Sequence, residues 1–193
     1  MAVQQIVAVV AAYLIGSVSF GIIVASANGI DIRTVGSGNP GTSNVMRVLG
    51  KRRAAVVLVG DGLKGAIAAL IGVGMVDPTF GYVTLFAAVV GHSFPIWHRF
   101  NGGKSVATAI GGILYLSPIV GIVLAVIWLA LVLVWKTASI ASLTVMVLLV
   151  PGLAIAGETT VELLWAGATA VFVIVRHSGN IERILTRRER TVS

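Results

Sequence analysis

Seven apolar runs separated by short polar intervals dominate the chain. They cover about 3–27, 54–73, 80–97, 105–116, 118–135, 138–156 and 161–175. A helix that crosses a bilayer needs about 20 apolar residues. The pattern predicts an all-α integral membrane protein of about seven transmembrane helices. It forms a single membrane-embedded domain over 1–193, with lipid in place of the water around a soluble fold. The run 105–116 is short for a crossing and is expected to tilt or to thin the bilayer locally. Gly16, Ser17, Ser19 and Gly21 interrupt the first run, and side chains this small let helices approach closely. Ser117-Pro118 marks a tight turn, because the residue before proline avoids the helical region. Lys136-Thr137 is a second short turn, and 157–160 is a hinge.

Composition agrees with that pattern. The chain is 57% apolar and 11% charged, whereas a soluble domain is roughly 25% charged. Its net charge of +7 does not point to nucleic acid, because the aromatic residues lie inside the apolar runs and not among the bases. The charge is better read as topology. Arg33, Arg47, Lys51, Arg52 and Arg53 lie in the first polar interval, Arg99 and Lys104 in the second, and Lys136 in a turn. Arg176, Arg183, Arg187, Arg188 and Arg190 lie in the tail. With seven spans these 13 of the 14 bases share one face, and the other face carries only Asp77, Glu158 and Glu162. Lys64 is inside the second span. The basic face is therefore expected to be cytoplasmic, with the N-terminus outside and the C-terminus cytoplasmic. The first 16 residues lack the basic start of a signal peptide and are expected to remain as the first span. There is no cysteine, hence no disulfide framework and no thiolate chemistry.

Three polar segments on the basic face hold more special residues than topology requires. The first, 31–53, reads DIRTVGSGNPGTSNVMRVLGKRR. Gly36, Gly38 and Gly41 permit positive φ, and backbone N–H groups in such turns converge on an anion. Ser37, Asn39, Thr42 and Asn44 add donors or cap a following helix. Arg47 lies three residues beyond Asn44, on the same side of a helix, and can close on the anion bidentately. The second segment is GHSFPIWHRFNGGKSVAT. Gly102-Gly103-Lys104 at a helix start offers free N–H groups, a positive dipole and a cation in one place. It is not a nucleotide P-loop, since His98 stands where G-x-x-x-x-G-K-[ST] requires glycine. The third is RHSGN, where His177 and Asn180 can both face inward from a last helical turn. His92 ends the third span at a matching depth. Asp61 and Lys64, three apart inside the second span, are expensive there and are either an ion pair or a substrate contact. Ser142 lies in the sixth span and can line the same cavity. The chain has no G-x-S-x-G elbow, no H-E-x-x-H helix and no metal-ligating cluster, so neither a metal nor a cofactor is expected. Many anion donors and few nucleophiles favour a reaction in which the substrates bring the reactivity and the protein brings positioning and charge stabilisation.

In order and spacing, GSVSFG, GSGNPGTSNVMR, GHSFPIWHRFNGGKSVAT and RHSGNIERIL resemble the motifs of the bacterial acyl-phosphate-dependent glycerol-3-phosphate acyltransferases, the PlsY family. The resemblance covers most of the chain. It implies a multi-pass enzyme of the bacterial inner membrane with its active site at the cytoplasmic face. Such an enzyme moves a fatty acyl group from acyl phosphate to position 1 of glycerol 3-phosphate and releases lysophosphatidic acid and inorganic phosphate, opening phospholipid synthesis. It also implies that Ser37, Gly38 and Asn39 cradle the donor phosphate, and that Arg47, Lys104, His177 and Asn180 hold glycerol 3-phosphate and the donor. Gly41, Thr42, Asn44 and Gly103 complete the expected phosphate site. This chain departs from the family pattern at Ser105 and Ser19, where glycine and proline are usual, and at Pro40-Gly41-Thr42-Ser43. The tail's usual Gly-x-Glu becomes Arg188-Glu189, with no glycine before it. Direct attack without an acyl-enzyme is expected, and the proton goes either to His177 or to a substrate phosphate oxygen. The rival reading is a transporter or channel for an organic phosphate.

Overall fold

A computed structural model describes residues 1–191, and every regular element among them is helical. The first apolar run is split into α1 (Ala2–Gly16) and α2 (Phe20–Ser26). Ser19 makes the break useful: its hydroxyl caps α2 by accepting from the Ile22 amide at 3.5 Å. The first polar interval ends in a short helix, α3 (Thr42–Leu49). Gly50, at φ +84°, turns the chain into α4 (Lys51–Met75). Then come α5 (Phe80–Ser93), a 3-10 turn (Ile96–His98), α6 (Val106–Leu116), α7 (Pro118–Trp135), α8 (Ala138–Ile155), α9 (Thr160–Arg176) and α10 (Ser178–Leu185).

Five stretches have the length and apolarity of a membrane span: Ala2–Ser26, α4, Phe80–His98, α7 and α8. The pair α9 and α10, bent by 58°, supplies a sixth. The short fourth run is α6, whose 11 residues rise only about 16 Å at 1.5 Å per residue, half of a hydrocarbon core. It still links the two ends of the bundle. The chain between α5 and α6 turns back along the last turn of α5, so α6 begins one turn deep. Gly102 N–H donates to Ser93 O at 3.2 Å and Gly103 N–H to His92 O at 3.0 Å. Irregular backbone at such a depth is tolerated where it lines a cavity.

The two ends differ in charge, as the sequence predicts. At one end Thr159 and Glu162 form a capping box that starts α9. The same Glu162 accepts from Thr79 Oγ1, before α5, at 2.9 Å. Glu158 there meets Ser117 and Tyr82, so the α4–α5, α6–α7 and α8–α9 connections converge. The opposite end gathers the α3 region, the α5–α6 and α7–α8 connections and the tail. Leu85, Val89, Ile113, Val145, Met146, Leu149 and Leu153 form the main core between α5, α6 and α8. The α4–α6 contact is closer than side chains permit: a Cβ on Gly65 meets the Thr108 carbonyl, and one on Gly111 meets the Gly62 backbone. That approach fixes where α6, and therefore Lys104 just before it, sits against α4.

Candidate active site

The first polar loop is built around Asn44, which is 2% exposed. Its Oδ1 accepts from Ser37 N–H at 2.8 Å, and its Nδ2 donates to Val35 O at 3.0 Å and Ile32 O at 3.3 Å. Asn44 thus works inside the loop, holding the turn that Gly36 (φ +63°) and Gly38 (φ +71°) allow. Asn39 Oδ1 accepts from Gly41 N–H at 2.9 Å and settles the entry into α3. Ser37, Asn39, Gly41, Thr42 and Arg47 are left facing one cavity.

The second loop departs from expectation in one respect. The N–H groups of Gly102 and Gly103 are not free for an anion, because they satisfy carbonyls at the C-terminal end of α5. Gly103 is required for a different reason: a Cβ there strikes the His92 ring. Ser105, at φ +63°, adopts a left-handed conformation that favours glycine. Its hydroxyl holds it there, donating to Val89 O at 2.7 Å and pairing with Ser93 Oγ at 2.8 Å. The loop's contribution to the cavity is the Lys104 side chain, whose ammonium donates to Asn180 Oδ1. Burial, reinforced by the Arg183 charge, pushes Lys104 down to about 8.

His177 lies at the α9–α10 corner. Its Nδ1 is 2.7 Å from Val173 O. A carbonyl only accepts, so Nδ1 carries the proton and Nε2 is an acceptor on the cavity side. Burial pushes His177 down to about 4, so the ring is neutral at pH 7.

These parts enclose a cavity of about 740 Å³. Its polar end carries Ser37, Asn39, Thr42, Arg47, Lys104, His177 and Asn180; its apolar part runs between α4, α6 and α7, along Leu63, Ile110, Leu114 and Trp128. Gly38, Gly103 and Lys64 are not on the lining. Ser142 is, but its hydroxyl donates to Ala138 O at 2.7 Å and accepts from Trp128 Nε1 at 3.1 Å, which fixes the indole beside the channel. Asp61 and Lys64 are an ion pair at 2.8 Å, and His92 joins them.

The tail supplies residues to which the sequence assigned no role in the site. Asn180 Nδ2 donates to Glu189 Oε1 at 2.8 Å, and Arg183 Nε donates to Glu189 Oε2 at 3.1 Å. Arg47 donates to the Thr191 carbonyl at 2.7 Å and the Arg190 carbonyl at 3.4 Å. Arg187, at φ +57°, makes the bend that returns the chain over the site. The signal for this in the sequence is Glu189 itself, the glutamate of the tail motif in the resemblance above.

A helical membrane protein with cations clustered where a polar mouth meets an apolar channel is built to handle an amphiphile bearing an anion. Comparison with known proteins narrows the class. The glycerol-3-phosphate acyltransferase family model matches residues 6–187. A glycerol-3-phosphate acyltransferase of Neisseria meningitidis serogroup B is 43% identical, with 96% of each chain covered. One of Aquifex aeolicus is 41% identical over 94% of this chain and 95% of its own. Crystal structures of PlsY, an integral membrane glycerol 3-phosphate acyltransferase, match with TM-scores of 0.92 and 0.90. They represent its glycerol 3-phosphate and lysophosphatidic acid forms; each is 39% identical and covers 97% of this chain and 94% of its own. The chain belongs to the glycerol-3-phosphate acyltransferase family.

Proposed function

We propose that this protein transfers a fatty acyl group from acyl phosphate to the 1-hydroxyl of glycerol 3-phosphate, at the cytoplasmic face of the bacterial inner membrane. The observation that carries the reading is one cavity with two chemistries: a cationic end at Arg47, Lys104 and Arg183, and an apolar channel leading from it between α4, α6 and α7. A donor with a phosphate head and a long chain fits both at once. Among the described residues, no serine or threonine hydroxyl is hydrogen-bonded to a histidine. That supports direct transfer without an acyl-enzyme.

In this mechanism the substrate hydroxyl oxygen attacks the acyl carbonyl. The new ester C–O bond forms, the anhydride C–O bond breaks, and the bonding pair leaves with phosphate. Lys104, charged below about pH 8, stabilises the charge that gathers on that phosphate. His177 accepts a hydrogen bond from the attacking hydroxyl through Nε2 and holds it in line. With a pKa of about 4, His177 is a weaker base than a phosphate monoester, whose second pKa is about 6. The proton therefore passes to a phosphate oxygen. The products are lysophosphatidic acid and inorganic phosphate, the opening step of phospholipid synthesis.

Family membership and the gathering of polar groups at one end of the bundle argue against an organic-phosphate transporter, whose site belongs near the midplane. Purified protein given acyl phosphate and glycerol 3-phosphate is expected to yield lysophosphatidic acid and phosphate. Uptake of glycerol 3-phosphate into vesicles with no product formed would reverse the ranking.

A further inference from the structure

The mechanism above leaves one buried cluster unused. Asp61, Lys64 and His92 lie inside the bundle, each no more than 5% exposed. A charged pair at such depth is expensive and is kept for a task. The Lys64 ammonium is ion-paired with Asp61 Oδ1 at 2.8 Å, donates to Val18 O at 2.6 Å and lies 2.6 Å from His92 Nδ1, whereas His92 Nδ1 is 3.6 Å from Asp61 Oδ1, beyond hydrogen-bond reach. Val18 lies in the break between α1 and α2, where its carbonyl is free to turn toward Lys64. Lys64 enters the pair with Asp61 as its cation. An ammonium has no lone pair, so His92 Nδ1 must be the acceptor. The proton of the neutral ring is then on Nε2. This end of the ring lies flush against Gly103, where any Cβ strikes it, and His92 borders the cavity between the Asp61–Gly62 stretch of α4 and Lys104. Nε2–H has no acceptor among the described residues.

We infer that Asp61 and Lys64 lock His92 in the Nε2–H tautomer, so that His92 donates a hydrogen bond to the acyl carbonyl oxygen as negative charge develops there. The inference rests on the proposed acyl transfer and adds a group to it. Lys104 and the first loop take the phosphate, and the chain runs into the channel. The carbonyl must therefore lie where the polar end meets the apolar one, and His92 and Asp61 line the cavity there. A neutral donor suits that position, since it offers a hydrogen bond without competing for the phosphate. Lys64 is a positioning residue, engaged away from the cavity.

Two substitutions separate the ring nitrogens. The amide of His92→Gln reaches the Nε2 position and keeps a donor there. His92→Asn keeps an acceptor for Lys64 and loses the donor. The expected result is a kcat lowered 100-fold or more in His92→Asn with KM for both substrates within about threefold, as for loss of an oxyanion donor, and a loss under about tenfold in His92→Gln. Equal losses in the two variants, or a loss confined to the KM of the acyl donor, would overturn the inference. Nitrogen-15 NMR of the histidines in detergent at pH 7 reads the tautomer without turnover. The chain has three histidines, and the signal missing in His92→Asn identifies the one at issue. A proton on Nε2 and a bare Nδ1 are expected, with mixed tautomers once the pair is neutralised together as Asp61→Asn/Lys64→Met. A proton on Nδ1 in the wild type would also overturn the inference. A wild-type protein that forms no lysophosphatidic acid sinks the proposed reaction but leaves the tautomer measurement to stand or fall alone.

Discussion

Lys104 and His177 are tuned in the same direction by burial, with opposite consequences. Lys104 acts through its charged form. Its pKa of about 8 means that charge is present below pH 8 and is lost as pH rises through it. In the free enzyme kcat/KM should therefore fall above about pH 8, and Lys104→Arg should move the fall beyond pH 10, because guanidinium stays charged. His177 acts through its neutral form, which is present above about pH 4. A pH–rate profile of His177→Gln that is flat from 6 to 8, with only a modest loss, is expected if the histidine orients and phosphate accepts the proton. A steep rise across that range in the wild type that disappears in the variant would return the base role to His177. Ser105 is the third residue of interest. Left-handed backbone costs a non-glycine residue roughly 1–2 kcal/mol, and its two buried hydrogen bonds offset this. Ser105→Ala keeps the strain and removes the bonds, so unfolding in detergent should show a loss of about 1–3 kcal/mol. Ser105→Gly, which relieves the strain, should lose less.

Among the elements, α6 decides the geometry of the site, because Lys104 and Ser105 lead directly into it. Its place is set by glycine on both sides of the α4–α6 contact. Gly111→Ala drives a methyl group into the Gly62 backbone and should destabilise by about 1–3 kcal/mol, as overpacking does, with a parallel loss of transfer rate. Gly74→Ala, on the same α4 but with nothing within 4 Å, should change neither. The apolar runs exposed the long helices and the shortness of α6, but not α3 and α10, whose segments are polar, nor the splitting of the first run into α1 and α2. They did not show how the short α6 reaches the site, because the turning-back of 101–105 depends on carbonyls of α5, a contact made in three dimensions. For the same reason the Gly102 and Gly103 amides looked free from the sequence. The break at Ser17-Val18-Ser19 was visible as a run of small residues, but its purpose, a carbonyl for Lys64 46 residues away, was not.

The whole molecule brings together His92, Lys104, His177 and Asn180, which the motifs had singled out, and adds Arg183 and Glu189. The sequence marked Glu189 only as the end of a tail motif; its role was hidden because Asn180 and Arg183 meet it through a bend made in three dimensions. The tail bend falls on Arg187, whose φ of +57° is a conformation that glycine adopts more readily. The bundle separates an acidic end at Asp77, Glu158 and Glu162 from a basic end at the cavity, which supports the inside-positive orientation. With no native cysteine, single cysteines report sidedness cleanly. Lys136→Cys should react with an impermeant thiol reagent only from the cytoplasmic side, and Pro78→Cys only from outside. The reverse labelling would invert the topology and remove the cytoplasmic assignment of the site. The central claim is direct transfer from acyl phosphate, and pre-steady-state phosphate release tests it most directly. Enzyme mixed with acyl phosphate alone should release no burst of phosphate. Adding glycerol 3-phosphate should start release matched one for one by lysophosphatidic acid. A stoichiometric burst before glycerol 3-phosphate arrives would mean an acyl-enzyme, and would contradict the account.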